Sequence, residues 1–162
     1  MKTLLLVRHA KSSWADSSLT DFERPLNERG KHDAPEMAKR IKAKKIDIDL
    51  FVSSPARRAK RTAELFLKEL NARDKDLVLV KELYEAPADN FYAVIEALPD
   101  KKDTVALFAH NPGITDFINS LQLTHLMEMP TCGIYAITVD VDHWIDFKKS
   151  GKEFLFFDYP KS

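Results

Sequence analysis

Cysteine is almost absent: Cys132 is the only one among 162 residues. A lone thiol forms neither an internal disulfide nor a cysteine-based zinc cluster. It stands in the apolar run Cys132-Gly133-Ile134-Tyr135-Ala136-Ile137, which reads as a buried thiol rather than a nucleophile. Glycine is scarce too, at four residues, and neither the Walker phosphate loop nor the dinucleotide fingerprint occurs. Any phosphate must therefore be held mainly by side chains. No charge of either sign is in excess, since 25 Lys and Arg balance 25 Asp and Glu. Proteins that coat nucleic acid carry a basic surplus, so no nucleic-acid partner is expected. The basic clusters at Lys39 to Lys45 and at Arg57 to Arg61 fall in helical patterns and read as solvated faces. No apolar run reaches membrane-spanning length, so no membrane partner is expected. The opening Met1-Lys2-Thr3-Leu4-Leu5-Leu6-Val7 is too short for a secretory leader and no small-residue cleavage site comes after it. The expected compartment is the cytoplasm.

What is present is alternation. Residues 2–8 read as a strand and residues 29–44 as a helix, with Ala34, Met37, Ala38 and Ile41 at helical spacing. Leu50-Phe51-Val52 is a short strand, and Pro55 opens a helix to about residue 70. Leu77 to Val80, Thr104 to Ala109, and two segments near 133–139 and 153–158 complete the strands. Helices are expected at 88–98 and 114–121. The polar stretch 11–27 is too long for a plain connection, which suggests a functional loop. Strand–helix alternation predicts an α/β fold, a three-layer α/β/α sandwich with a mostly parallel central sheet. No repeat or linker divides the chain, so one domain over 1–162 is expected.

Three predicted strands end in polar chemistry: the first at Arg8-His9, the second at Ser53-Ser54-Pro55-Ala56-Arg57-Arg58, the fourth at His110-Asn111. Parallel strands would place all three ends on one edge of the sheet, where α/β proteins bind ligands. Two histidines among guanidinium groups argue against a metal, which needs carboxylate or thiolate ligands and would be repelled by arginine. They suit a phosphoryl anion. A neutral imidazole, with an unperturbed pKa near ~6.5, can attack phosphorus directly. Its other ring nitrogen must be held by an acceptor, usually a backbone carbonyl.

These residues resemble those of a known family. Leu6-Val7-Arg8-His9-Ala10, Arg24-Pro25-Leu26-Asn27-Glu28-Arg29-Gly30, Ser53-Ser54-Pro55 with Arg58-Ala59 and Thr62-Ala63-Glu64, and Ala109-His110-Asn111-Pro112-Gly113 occur in order at matching spacings. Together they are similar to the histidine phosphatase superfamily, the phosphoglycerate-mutase-like fold, and more narrowly to its short bacterial phosphohistidine phosphatases. The resemblance implies that His9 is the nucleophile that becomes phosphorylated. It implies that Arg8, Arg58 and His110 surround the phosphoryl group, that Arg24 borders the pocket, and that Asn111 joins the substrate-binding set. Arg57 has no counterpart. Ala10 departs from the glycine usual in the superfamily. A general acid would come from Glu82 or Glu85, with Glu85 in the better-placed loop, or from neither, because the short subgroup does not depend on it. No cofactor or metal is implied.

The resemblance thus implies a phosphatase working through a phosphohistidine intermediate. The expected substrate is a phosphohistidine on a signalling or phosphotransfer protein, because the short chain has no insertion to lid a small sugar and a phosphoramidate needs little acid help. A small-molecule phosphate ester phosphatase, or a non-catalytic phosphate-binding module on the same fold, is the alternative. A monomer is expected. His32, His125 and His143 have no supporting partners and read as surface residues. Lys11, Ser12 and Ser13 read as polar loop filler, and Trp14 as either a substrate contact or a loop anchor.

Overall fold

The computed structural model describes residues 1–161. Its elements, in chain order, are β1 Lys2–Arg8, α1 Glu28–Ala43, β2 Leu50–Ser53, α2 Arg57–Glu69, β3 Leu77–Leu79, α3 Ala88–Glu96, β4 Thr104–Ala109, α4 Gly113–Ser120, β5 Ile134–Val139 and β6 Lys152–Asp158, with short 3-10 turns at Asp21–Glu23 and Trp144–Lys149. They form one sheet in the order β3-β2-β4-β1-β5-β6. β1, β2, β3 and β4 run parallel, and β5 and β6 are antiparallel additions on the β1 side.

The apolar run of β1 reflects burial on both faces. Leu4 and Leu6 enter one core with Phe91, Ile95, Ile114, Phe117 and Trp144. Leu5 and Val7 enter the other with Met37, Ile41, Phe66 and Leu67. Helices α1 and α2 therefore cover one face, and α3, α4 and the 144–149 turn cover the other, giving the three layers that the alternation predicts. Each fully buried Leu contributes roughly 1.5–3 kcal/mol, so β1 anchors both cores at once.

Local contacts fix the loops at the carboxyl edge of the sheet. Asn27 caps α1, its Oδ1 accepting the Gly30 N–H at 2.9 Å. A Cβ on Gly30 would collide with the backbone oxygen of Lys11, and one on Gly113 with the backbone oxygen of Ala86. Only glycine lets α1 close on the 11–27 loop and α4 close on the 84–87 loop. One expectation is corrected: Pro55 does not open α2, which starts at Arg57 with Ala56 at its N-cap. Residues 54–56 instead make a tight bend in which Ser54 Oγ accepts the Ala56 N–H at 3.2 Å. Among the described residues no helix is long and apolar enough to cross a membrane.

Candidate active site

The carboxyl ends of β1, β2 and β4 lie side by side, since β1 and β2 both pair with β4. The backbone after β1 is held from three directions. His9 N–H donates to the Ala109 carbonyl at 3.1 Å and Arg8 N–H to the Gly133 carbonyl at 3.2 Å. Ala10 N–H donates to Thr62 Oγ1 on α2 at 3.0 Å. Ala10 itself is fully buried.

His9 is 6% exposed and its ring lies 5.1 Å from that of His110, centroid to centroid. His9 Nδ1 lies 2.7 Å from the Ala10 carbonyl oxygen. A carbonyl only accepts, so Nδ1 carries the proton and Nε2 keeps its lone pair. Burial, helped by the nearby charges of His110, Arg58 and Arg8, pulls the His9 pKa down to about 3. His110 is pulled down to about 4, by burial first and then by Arg58. Both rings are therefore neutral near pH 7. His110 Nε2 lies 2.8 Å from Ser54 Oγ.

Around the histidines stand Arg8, Arg24 and Arg58. Arg8 Nη1 donates to the Met129 carbonyl at 2.9 Å. Arg58 Nη1 donates to the Asp21 carbonyl at 2.7 Å and its Nη2 to Asp21 Oδ2 at 3.0 Å. Arg24 Nη1 donates to Ser12 Oγ at 2.8 Å, and its Nη2 lies 3.3 Å from Asp21 Oδ1. The Trp14 ring stacks on the Arg24 guanidinium at 3.5 Å, which makes Trp14 an anchor of that arginine. Among the described residues, four buried side-chain nitrogens lack a hydrogen-bond partner: Nε of Arg8, Arg24 and Arg58, and Nδ1 of His110. Buried polar atoms are normally paired. That all four belong to this one cluster marks it as a place built to receive an acceptor-rich group.

An open cleft of about 590 Å3 leads in, lined by Asp21, Arg58, Tyr84, Glu85, His110 and Asn111 among others. Glu85 is exposed and lies in the left-handed region at φ 52°, a conformation uncommon for a non-glycine residue. Glu82 lies away from this cleft, beside an apolar groove formed by Leu50, Val52, Val80 and Leu98. Asn111 lines the cleft but spends its amide elsewhere: Nδ2 donates to the Met129 carbonyl at 2.9 Å and Oδ1 accepts from Thr115 at 2.7 Å. Arg57 is exposed and donates to the Glu23 carbonyl at 3.4 Å, away from the histidines. His32 and His125 are exposed, and His143 is paired with Asp100 at 3.0 Å. Cys132 is buried, and its thiol is held well above the usual range by that burial.

Sequence reasoning missed Asp21, Tyr84 and the role of Ser54. Tyr84 Oη donates to Asp21 Oδ2 at 2.6 Å, and its ring meets His110 edge-on at 5.6 Å. The Tyr84 hydrogen bond, and after it Arg58, hold the Asp21 carboxyl down at about 2. The only signal in the sequence was position: Asp21 stands three residues before Arg24. Among the described residues no three His, Cys, Asp or Glu side chains gather in a way that could hold a metal ion.

The profile of the histidine phosphatase superfamily, branch 1, matches residues 4–94, more than half of the chain. The chain belongs to the histidine phosphatase superfamily. Among curated sequences, a 2,3-bisphosphoglycerate-dependent phosphoglycerate mutase of Bartonella henselae is 31% identical over 86 residues, which is 52% of this chain and 42% of the mutase. The chain thus spans less than half the length of that relative. Two solved structures share the superfamily fold over nearly the whole chain. The protein histidine phosphatase SixA complexed with tungstate has a TM-score of 0.82 and 23% identity, covering 98% of this chain and 97% of its own. A protein of Agrobacterium tumefaciens named for phosphohistidine phosphatase SixA has a TM-score of 0.80 and 24% identity, covering 98% of both chains.

Proposed function

We propose that the chain is a single histidine phosphatase domain that hydrolyses phosphoryl groups through a covalent phosphohistidine at His9, without a metal. The observation that carries the reading is the set of four unpaired buried nitrogens gathered around a neutral histidine whose Nε2 keeps its lone pair. A tetrahedral phosphoryl group, with several oxygens, satisfies several donors at once. The burial cost of the unpaired groups in the empty pocket then becomes stabilisation once charge builds on those oxygens.

In the first step His9 Nε2 attacks phosphorus, and the bond from phosphorus to the leaving group breaks with its electron pair going to the leaving atom. Arg8, Arg24, Arg58 and His110 offset the charge on the phosphoryl oxygens. Water then attacks phospho-His9, and the phosphorus–nitrogen electron pair returns to Nε2. Phosphate departs carrying one water proton, and the other goes to solvent.

The preferred substrate is a phosphohistidine on another protein. A phosphorylated imidazole whose distal nitrogen is protonated leaves as neutral imidazole, so it needs no strong general acid. Glu85, exposed at the cleft mouth, is the carboxylate available when one is needed. The open cleft suits a group presented on a protein surface. A small phosphate ester is the second reading, favoured by the phosphoglycerate mutases among the sequence relatives. The test is to mix purified protein with phosphoramidate, quench rapidly and look for acid-labile phosphate. Wild type is expected to carry it on His9 and His9→Ala to carry none. Arg58→Ala should form it roughly 100-fold more slowly. A wild type that never becomes phosphorylated overturns the reading.

A further inference from the structure

Asp21 is a carboxylate in a pocket otherwise built for an anion, and its contacts show how the two can coexist. A guanidinium has five N–H donors. Asp21 engages only the terminal nitrogens: both Nη1 and Nη2 of Arg58, through its backbone carbonyl and Oδ2, and Nη2 of Arg24, through Oδ1. The Nε–H of each arginine is buried and has no partner. Asp21 therefore grips both side chains at their tips and leaves the inner donor of each unspent.

The grip is not an ordinary surface ion pair. Such pairs contribute little because two long side chains must be ordered in water. Here the Arg24 and Arg58 side chains are 9% and 7% exposed, while Asp21 is 52% exposed. The long partners are thus buried, and the bridging one reaches in from the rim. Two neighbouring guanidinium groups repel each other, and a shared carboxylate offsets that repulsion and keeps them together. Tyr84 holds the carboxylate in turn, across 63 residues of sequence, from the far wall of the cleft. Tyr84 is itself placed by Phe22, which meets its ring edge-on at 5.2 Å, and by the close seat of Ala86 on Gly113.

We propose that Asp21, tethered by Tyr84, is a positioning residue that clamps Arg24 and Arg58 with their Nε–H donors presented to the phosphoryl group. The proposal rests on the phosphatase reading and adds residues to it. Because the clamp arranges donors for the transition state, its loss should appear in kcat. KM should hardly rise, since removing a negative charge from the pocket favours anion binding.

The experiment measures phosphoramidate hydrolysis by the full chain, together with the nitrogen-15 NMR signals of the arginine Nε–H groups. Asp21→Asn is expected to lower kcat by about 10- to 100-fold with KM unchanged or lower, and to broaden the Arg24 and Arg58 Nε–H signals or move them to the free-arginine position. Tyr84→Phe, which removes one hydrogen bond and no charge, should lower kcat by about 3- to 10-fold. It carries the same two readouts if Asp21→Asn does not fold. Glu23→Gln is the control, changing a carboxylate in the same turn that hydrogen-bonds Thr20 and touches neither Arg24 nor Arg58 among the described residues. It should leave kcat within about two-fold, because Gln serves as well as Glu in that cap. Wild-type kcat and unmoved Nε–H signals in Asp21→Asn overturn the clamp. If wild type shows no turnover but the signals are lost in Asp21→Asn, the phosphatase reading falls and the clamp stands.

Discussion

The two neighbouring histidines, His9 and His110, are held by different kinds of neighbour. For His9 it is a main-chain carbonyl, and no side-chain substitution removes it. For His110 the neighbour is Ser54, whose Oγ already accepts the Ala56 N–H. Ser54 engages Nε2 and so ties down one side of the ring, while Nδ1 is the nitrogen that lacks a partner. Ser54→Ala should release that side of the ring and lower kcat by roughly 10-fold, with little change in melting temperature. Single-turnover kinetics checks this, and an unchanged rate would count against this role of Ser54. At this scale the sequence was informative where chemistry sits at strand ends. Arg8, His9 and His110 each stand at or just after the end of an apolar run, whereas Arg58, on α2, is singled out only by the family resemblance. Asp21 and Tyr84 could not be found in either way, because a hydrogen bond spanning 63 residues between two irregular loops leaves no periodic trace.

Among the elements, α2 helps to hold the turn that carries the proposed nucleophile. Thr62 on its buried face accepts the Ala10 N–H at 3.0 Å and donates to the Arg58 carbonyl at 2.7 Å. One hydroxyl thus joins the turn after β1 to the helix that carries an arginine of the pocket. Thr62→Val keeps the volume but strands a buried N–H, at a cost of about 1–3 kcal/mol. Thermal unfolding should show a loss of roughly 2–12 °C for a chain of this size. The rate of His9 phosphorylation should fall with it, and a variant that melts like wild type would show that Thr62 does not hold the turn. The elements themselves were legible, because β4, flanked by charge, and α1, capped by Asn27, carry clear boundaries. The start of α2 was not: proline favours a first helical turn, but here the Ser54 side chain captures the Ala56 N–H and the bend takes two more residues.

At the scale of the whole molecule, the two neutral imidazoles couple function to stability. His9 and His110 stay unprotonated in the fold down to about 3 and about 4, whereas the unfolded chain protonates them near ~6.5. Below a pH of about 6.5 the unfolded state binds more protons than the folded one, so stability falls as pH falls and is fully retained at higher pH. The Asp21 carboxyl, held at about 2, adds stability that is lost only below its unfolded value near ~3.9. Melting temperatures recorded from about pH 8 to about pH 4.5 should decline in wild type and decline less in a His9→Asn, His110→Asn double variant. Parallel slopes would rule out these two rings as the cause.

Strand order also governs when a nascent chain becomes reactive. His9 directly follows β1, yet β1 is flanked by β4 and β5, whose partners for it run from residue 104 to residue 139. His9 therefore leaves the ribosome long before the strands that seat it, and such distant pairings form late and slowly. Until β4 and β5 have docked, β1 lacks both of its neighbours in the sheet. Competence for chemistry thus arrives nearly all at once, with the closing of the sheet around β1.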